Sequence, residues 1–150
     1  MDLELDTTMV SALISIVVSI ASTVVFNKYQ IKHDVKTKLD EEFNEILKIA
    51  IEYPYLESID FTRKWTSKYD KSNESALRYE VYCTLVFNFL EKFSKFYNYN
   101  LKKIQSELAV KEWVILHSKY WRDPTIPNEN INTYNPDFLK LVEDCLTGMN

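Results

Sequence analysis

The chain has 150 residues, about the length of one domain, and 46% of them are hydrophobic. A single glycine excludes glycine-rich phosphate loops and turn-dense β-sandwiches, and two cysteines with two histidines are too few for a four-ligand zinc site. The net charge of −4 conceals acidic ends and a basic middle, since residues 61–122 hold twelve bases against six acids. This composition favours an all-α protein with a basic surface that suits an anion.

The first apolar segment, residues 7–26, reads TTMVSALISIVVSIASTVVF and contains no charge, proline or glycine. Twenty helical residues span about 30 Å, the thickness of a bilayer core, so we predict a transmembrane helix. A cleaved signal peptide would have a basic start, whereas residues 1–6 are acidic. Four lysines lie in residues 27–38, and the positive-inside rule therefore places Met1 outside. We expect a single-pass protein of the inner (cytoplasmic) membrane, with an extracytoplasmic N-terminus and a cytoplasmic C-terminal domain.

Hydroxyl side chains form one face of this segment. At 100° per residue, five of them fall within about 80° of each other, and bulky aliphatic residues occupy the opposite side. The five are Thr8, Ser11, Ser15, Ser19 and Ser22. Small hydroxylated residues suit either close helix–helix packing or the lining of a water-filled pore, and both interpretations require a homo-oligomer, for which we expect a tetramer. Asp2, Glu4 and Asp6 would then ring the outer mouth of a pore and favour cations.

The helix is expected to continue beyond the membrane. Residues 27–53 lack proline and glycine and repeat apolar residues at helical spacing, which predicts one helix over about residues 7–52, near 68 Å long. Pro54 should end it, because the residue before a proline is biased away from the helical region. We therefore divide the chain into residues 1–6 outside, a transmembrane helix over 7–26, a stem helix over 27–53 and a small helical cytoplasmic domain over 54–150.

Further helices are expected in the cytoplasmic domain, after a short helix and loop in residues 54–72. One helix should run from Ser72 or Asn73 to Tyr97, and another over 101–121 with Asn100 as its cap. The last helix has Asn135 as cap, Pro136 at its first position and Gly148 past its end. No stretch alternates with a period of two, so no sheet is expected. The side chains predicted to face inward from the first of these helices are Leu77, Val81, Leu85, Phe89, Phe93 and Phe96.

Catalytic chemistry finds little support in the sequence. His33 lies among charges in the stem, His117 lies alone in a helix and Cys83 lies among apolar residues, so we expect no enzyme, no metal ligands and no cofactor. A polar pair, Asn88 and Glu91, interrupts an apolar run three residues apart. We interpret the pair as a structural clamp between helices, because buried polar groups are nearly always hydrogen-bonded.

Basic residues lie among aromatic residues in three segments of the domain, residues 61–71, 97–103 and 119–122. Cations beside flat rings suit a nucleotide or a single-stranded oligonucleotide, through phosphate contact and base stacking. The same pattern also fits an ordinary surface with rings facing inward and lysines facing outward. The candidate ligand-binding residues are Arg63, Lys64, Trp65, Lys68, Tyr69, Lys102, Lys103, Lys119, Tyr120, Trp121 and Arg122.

Several short motifs carry a resemblance to a known group. A Tyr-Pro follows the stem, and Phe-Asn-Phe-Leu-Glu, Trp113, Tyr120-Trp121-Arg122 and a closing Tyr134 with Phe138-Leu139 come after it. The chain resembles uncharacterised bacterial single-pass membrane-anchored helical proteins. By architecture it is also similar to the membrane effectors of anti-phage systems, such as the Hailong pore effector. That resemblance implies an oligomeric, ion-conducting effector, gated by a nucleotide or oligonucleotide and encoded beside a nucleotidyltransferase; the alternative is a non-conducting, membrane-tethered binding or scaffold module.

Overall fold

The computed structural model describes residues 7–65, 72–122 and 133–148, and no strand occurs among them. The prediction of an all-α fold is confirmed for these ranges. Their helices are α1 (Thr7–Glu52), a 3₁₀ turn (Pro54–Glu57), α2 (Ile59–Lys64), α3 (Glu74–Phe96), α4 (Leu101–Gln105), α5 (Val110–Leu116), α6 (Ser118–Trp121) and α7 (Pro136–Thr147).

Helix α1 has the length that the sequence predicts and ends directly before Tyr53-Pro54. It contains an 18-residue window with a mean hydropathy of 2.4, none of which is buried. By length and composition α1 could therefore cross a membrane. The contacts along the chain define two compact units, residues 1–38 and residues 39–150. The first unit, as far as it is described, consists of α1 residues 7–38.

The second unit contains the core, and the last turns of α1 belong to it. Leu39 and Ile46 are each only 5% exposed. Between them Phe43 stacks on Phe89 of α3 with ring centroids 5.6 Å apart and meets the edge of Trp113 of α5 at 5.8 Å. Leu39, Phe43 and Ile46 thus pack the apolar stripe of the predicted stem against the domain, whereas Leu47 is 37% exposed; residues 39–52 belong to the second unit.

Helix α3 starts as predicted, because the Asn73 side chain accepts hydrogen bonds from the Ser75 and Ala76 amides at 3.1 and 3.3 Å. The predicted inward face is correct for Phe89 and Phe93 and wrong for its first half, where three aliphatic residues are exposed. The exposed three are Leu77, Val81 and Leu85.

The residues buried in their place form a second, larger face of α3. It carries Tyr79, Tyr82, Cys83, Val86, Phe87 and Leu90, none more than 1% exposed. Aromatic rings bury more surface than aliphatic side chains, and both tyrosine hydroxyls find polar partners inside the domain. Periodicity alone could not separate the two faces, because α3 is apolar on both.

The prediction of one helix over residues 101–121 is wrong, since three short helices occupy this range. Asn100 does cap the first, accepting a hydrogen bond from the Lys103 amide at 3.1 Å. In a straight helix Ile104 and Val110 would lie about 120° apart, so only a bend lets both reach the core, where each is fully buried. The turn at residues 106–109 and the non-helical backbone of His117 (φ −98°, ψ 16°) supply the two breaks.

Helix α7 follows the sequence prediction closely. Asn135 accepts a hydrogen bond from the Asp137 amide at 2.8 Å, Pro136 opens the helix and Gly148 follows its last residue. Its buried face packs mainly against α5 and also contacts α3. That face consists of Phe138, Leu141, Val142, Cys145 and Leu146.

Candidate functional site

The hydroxyl face of α1 is solvent-accessible in the single chain. Ser11, Ser15, Ser19 and Ser22 are all exposed; Thr8 lies on the helix, and its side chain is outside the described set, as are residues 1–6 with Asp2, Glu4 and Asp6. The Ser15 hydroxyl donates to the Ser11 carbonyl at 2.9 Å. Such bonds to the preceding turn satisfy a hydroxyl within its own helix and leave its oxygen as an acceptor.

The three basic–aromatic segments contribute cations to the surface and rings to the core. Arg63 and Lys64 are exposed at the end of α2, as are Lys102 and Lys103 in α4 and Lys119 in α6. Lys68 and Tyr69 lie outside the described residues. Arg122 pairs with Glu143 at 3.3 Å.

The rings of Trp65, Tyr120 and Trp121 are covered by other aromatic residues. Trp65 and Tyr120 are each 6% exposed and contact one another, with centroids 5.6 Å apart. The Tyr120 hydroxyl is 2.8 Å from the Thr84 hydroxyl, and burial raises its pKa to about 12. Trp121 packs on Phe87 at 4.6 Å. Two of the three segments therefore meet through their rings, but those ring faces are not available for base stacking.

The polar pair on α3 reaches the start of α7. Asn88 accepts a hydrogen bond from the Tyr134 hydroxyl at 2.9 Å, and Glu91 accepts one from the Asn135 amide at 2.7 Å. Both residues are half-buried. The partner of Glu91 is thus a backbone amide, and Glu91 satisfies a donor at the N-terminus of α7.

A polar cluster, which we call the Glu57 cluster, lies within the domain; its His117 ring is fully buried, whereas Glu57 and Trp113 are half-buried. The Glu57 carboxylate accepts hydrogen bonds from the Tyr82 hydroxyl, from the Trp113 indole at 3.0 Å and from His117 Nε2 at 3.2 Å. Four elements contribute to it, namely the 3₁₀ turn, α3, α5 and the α5–α6 junction. The members are Glu57, Tyr79, Tyr82, Cys83, Trp113 and His117.

His117 connects two sides of this cluster. Its ring is fully buried, with Nδ1 2.9 Å from the Tyr79 hydroxyl and 3.7 Å from the Cys83 sulfur. Because a carboxylate only accepts, Nε2 must carry the proton that points to Glu57. In the neutral ring, Nδ1 then accepts from Tyr79, and a continuous run of donated bonds leads from Tyr79 through His117 to Glu57.

The charges in the cluster follow from burial and these bonds. Burial by itself raises the pKa of the Glu57 carboxyl, but the hydrogen bonds from His117 and Tyr82 outweigh it, and the pKa is lowered. Burial raises the pKa of the Cys83 thiol well above its usual range, and it also raises the pKa of Tyr79 and Tyr82. At neutral pH the cluster therefore holds a carboxylate surrounded by neutral hydroxyls and a neutral thiol.

Cys83, His117 and Glu57 include the residue types of a nucleophile, a base and an orienting acid. The thiol and the imidazole are both fully buried, however, and the thiol is held protonated. A reactive cysteine needs a lowered pKa and access to a substrate. As arranged, these groups satisfy one another inside the core. Among the described residues no group of acidic, histidine and cysteine side chains has the arrangement of a metal site.

The sequence does not reveal this cluster, because its members are far apart along the chain. Glu57 and His117 are separated by 60 residues. A polar residue within an apolar run is the available signal, and it identifies Asn88 and Glu91, whereas Glu57 lies in residues 54–72, for which the sequence predicts a short helix and a loop. The chain matches no known protein family, and no curated protein or solved structure shows significant similarity to it.

Proposed function

We propose that the chain is a homo-oligomeric membrane effector whose α1 helices assemble into a gated, ion-conducting pore in anti-phage defence. The observation that carries the proposal is the apolar, fully exposed window of α1. No residue of this window is buried among the described residues, and a bilayer is the solvent that stabilises an apolar surface of this length. In this proposal the protein lies in the inner membrane with its N-terminus outside.

Assembly would use the hydroxyl face. In lipid, helices associate through small residues that allow close approach, and bulky aliphatic residues face the acyl chains. Ser11, Ser15, Ser19 and Ser22 provide such a face, exposed along its length. Because Ser15 is already bonded to its own backbone, it can enter lipid at low cost and still offer an oxygen to water or an ion in a pore.

Gating would come from the helical domain through an anionic ligand, a nucleotide or an oligonucleotide, made by a neighbouring nucleotidyltransferase. The contact between Trp65 and Tyr120 brings α2 and α6 together, and these helices carry the exposed cations Arg63, Lys64 and Lys119. With the rings buried, the ligand would be held through its phosphates. Phosphate contacts give affinity that falls steeply with salt.

The decisive test is dye or ion leakage from lipid vesicles containing the full-length chain. Ser15→Leu and Ser19→Leu should abolish leakage without preventing insertion, because each fills the hydroxyl face. Ala21→Leu is the matched control: it adds a similar side chain about 120° away from Ser15, toward lipid, and should leave leakage unchanged. Unchanged leakage in both serine variants would contradict the pore.

A second measurement separates the pore from the non-conducting tethered module. Replacement of residues 7–26 by a polyleucine span should keep the chain in the membrane and remove toxicity in cells. Full retention of the cellular effect in this variant would overturn the pore and would instead support the tethered module.

A further inference from the structure

The Glu57 carboxylate is surrounded by donors on both of its oxygens. The Tyr82 hydroxyl and His117 Nε2 point to Oε1, and the Trp113 indole points to Oε2. An ionised carboxylate offers acceptors at each of these positions. A protonated carboxyl carries a hydrogen on one of these oxygens, which makes that oxygen a weaker acceptor for the donor it faces. The three donors therefore favour the ionised form of Glu57.

One of these hydrogen bonds fixes the Trp113 side chain, which contacts α1. The indole ring of Trp113 meets Phe43 of α1 at 5.8 Å and Phe89 of α3 at 6.4 Å, both edge to face. Its nitrogen is held by Glu57, which lies in the 3₁₀ turn that follows α1. The orientation of a ring packed on α1 thus depends on the charge of one half-buried carboxylate.

We propose that Glu57 is an acid-sensitive latch, which holds Trp113 against Phe43 while it is ionised and releases the indole when it takes up a proton. The proposal concerns the domain formed by residues 39–150 and does not depend on the pore. If α1 also forms the pore, the latch becomes a point at which the domain controls it, and that extension rests on the proposed function.

Few of the groups that face Glu57 can change their charge in acid. Tyr82 and Tyr79 on α3 and the Cys83 thiol stay neutral in acid, and the Trp113 indole does not titrate. His117 is the other titratable side chain in contact with the carboxylate, through Nε2. Glu57 and His117 must therefore be separated by experiment.

The direction of the pH effect follows from the bonds to the carboxylate. The pKa of Glu57 is lowered from its ordinary value of 4.5, so the latch stays closed at neutral pH and opens as the pH falls through the lowered value. The unfolded chain takes up this proton at a higher pH than the folded chain does. The contribution to stability is therefore complete above pH 4.5 and is lost below it.

The test uses the indole N–H signals of the full-length chain, labelled at tryptophan, in detergent by nuclear magnetic resonance. The Trp113 signal, assigned with Trp113→Phe, should shift in a single protonation step with a midpoint below pH 4.5 while those of Trp65 and Trp121 stay in place. In Glu57→Gln the step should disappear. Glu42→Gln is the matched control, since Glu42 binds Lys92 at the surface at 2.9 Å, and it should titrate as wild type.

A second variant keeps the proposal testable if Glu57→Gln fails to fold. Tyr82→Phe removes one donor from Oε1 and leaves the carboxylate in place, so the midpoint should rise by about 1 pH unit. The proposal is overturned if the Trp113 step persists in Glu57→Gln, which would assign it to His117, or if Tyr82→Phe leaves the midpoint unchanged. Vesicle leakage of Glu57→Gln then tests the extension to the pore separately.

Discussion

The two ends of α1 both carry apolar residues but differ in their patterns and in their surroundings. Residues 9–26 expose their aliphatic side chains, Val17 by 65%, whereas Leu39 and Ile46 in the same helix are each 5% exposed. The first stretch is apolar on most of its circumference and carries no charge. The second has a single apolar stripe beside Asp40, Glu41, Glu42 and Glu45. One helix thus carries a pattern suited to lipid followed by a pattern suited to a protein core.

The largest expected effect comes from comparing a buried and an exposed leucine on one helix of the domain. Leu90 on α3 is fully buried and Leu85 on the same helix is 41% exposed. Leu90→Ala should destabilise the domain by about 2–5 kcal/mol, because it leaves a cavity, and Leu85→Ala by about 1 kcal/mol or less. Urea unfolding in detergent, followed by tryptophan fluorescence, measures both. Equal losses would mean that the inward face of α3 is misassigned.

Leu90 lies on the buried face of α3, which the sequence did not identify as the inward face. The bounds of α1 and of α7 could be predicted because they depend on local signals, namely an uninterrupted apolar helix, Pro54, and the cap formed by Asn135-Pro136. The inward face of α3 depends on which of two apolar faces finds better partners, and those partners, Glu57 and His117, are distant in sequence. The breaks in residues 101–121 likewise arise from the need to bury Ile104 and Val110 together.

The candidate functional residues also differ in whether the sequence predicts them. The hydroxyl face of α1 follows from 100° per residue and could be read directly. The Glu57 cluster could not, because long-range hydrogen bonds leave no periodic trace. Trp65, Tyr120 and Trp121 were recognised as aromatic residues beside cations, but their burial depends on how α2, α3 and α6 pack.

A second prediction compares the same valine-to-lysine substitution in the apolar segment of α1 and on the exposed surface of α3. Val17→Lys places a charge in the middle of the apolar segment and should oppose membrane insertion by about 3 kcal/mol. Val81→Lys makes the same change at a position on α3 that is 62% exposed, where the effect on stability should stay within about 0.5 kcal/mol. Alkaline extraction of membranes reports the first and unfolding the second. Val17→Lys protein that stays fully membrane-bound would contradict the assignment of the span.

The smallest effect concerns a helix end in the domain. Asn135→Ala removes the side-chain acceptor of the Asp137 amide and should cost about 1 kcal/mol of stability. Asn44→Ala, at an exposed position inside α1, is the control and should be neutral or slightly stabilising, because alanine favours helix interiors. If both variants behave alike in urea unfolding, the cap contributes nothing measurable.

The most direct test of the central claim is the mass of the full-length protein released from lipid nanodiscs in native mass spectrometry. Membrane-embedded α1 helices that associate along the hydroxyl face predict complexes of several copies, with four as the expected number, and a shift to single copies in Ser15→Leu. Single copies at every protein concentration, or a chain that remains in the aqueous fraction and never enters the nanodisc, would contradict the account.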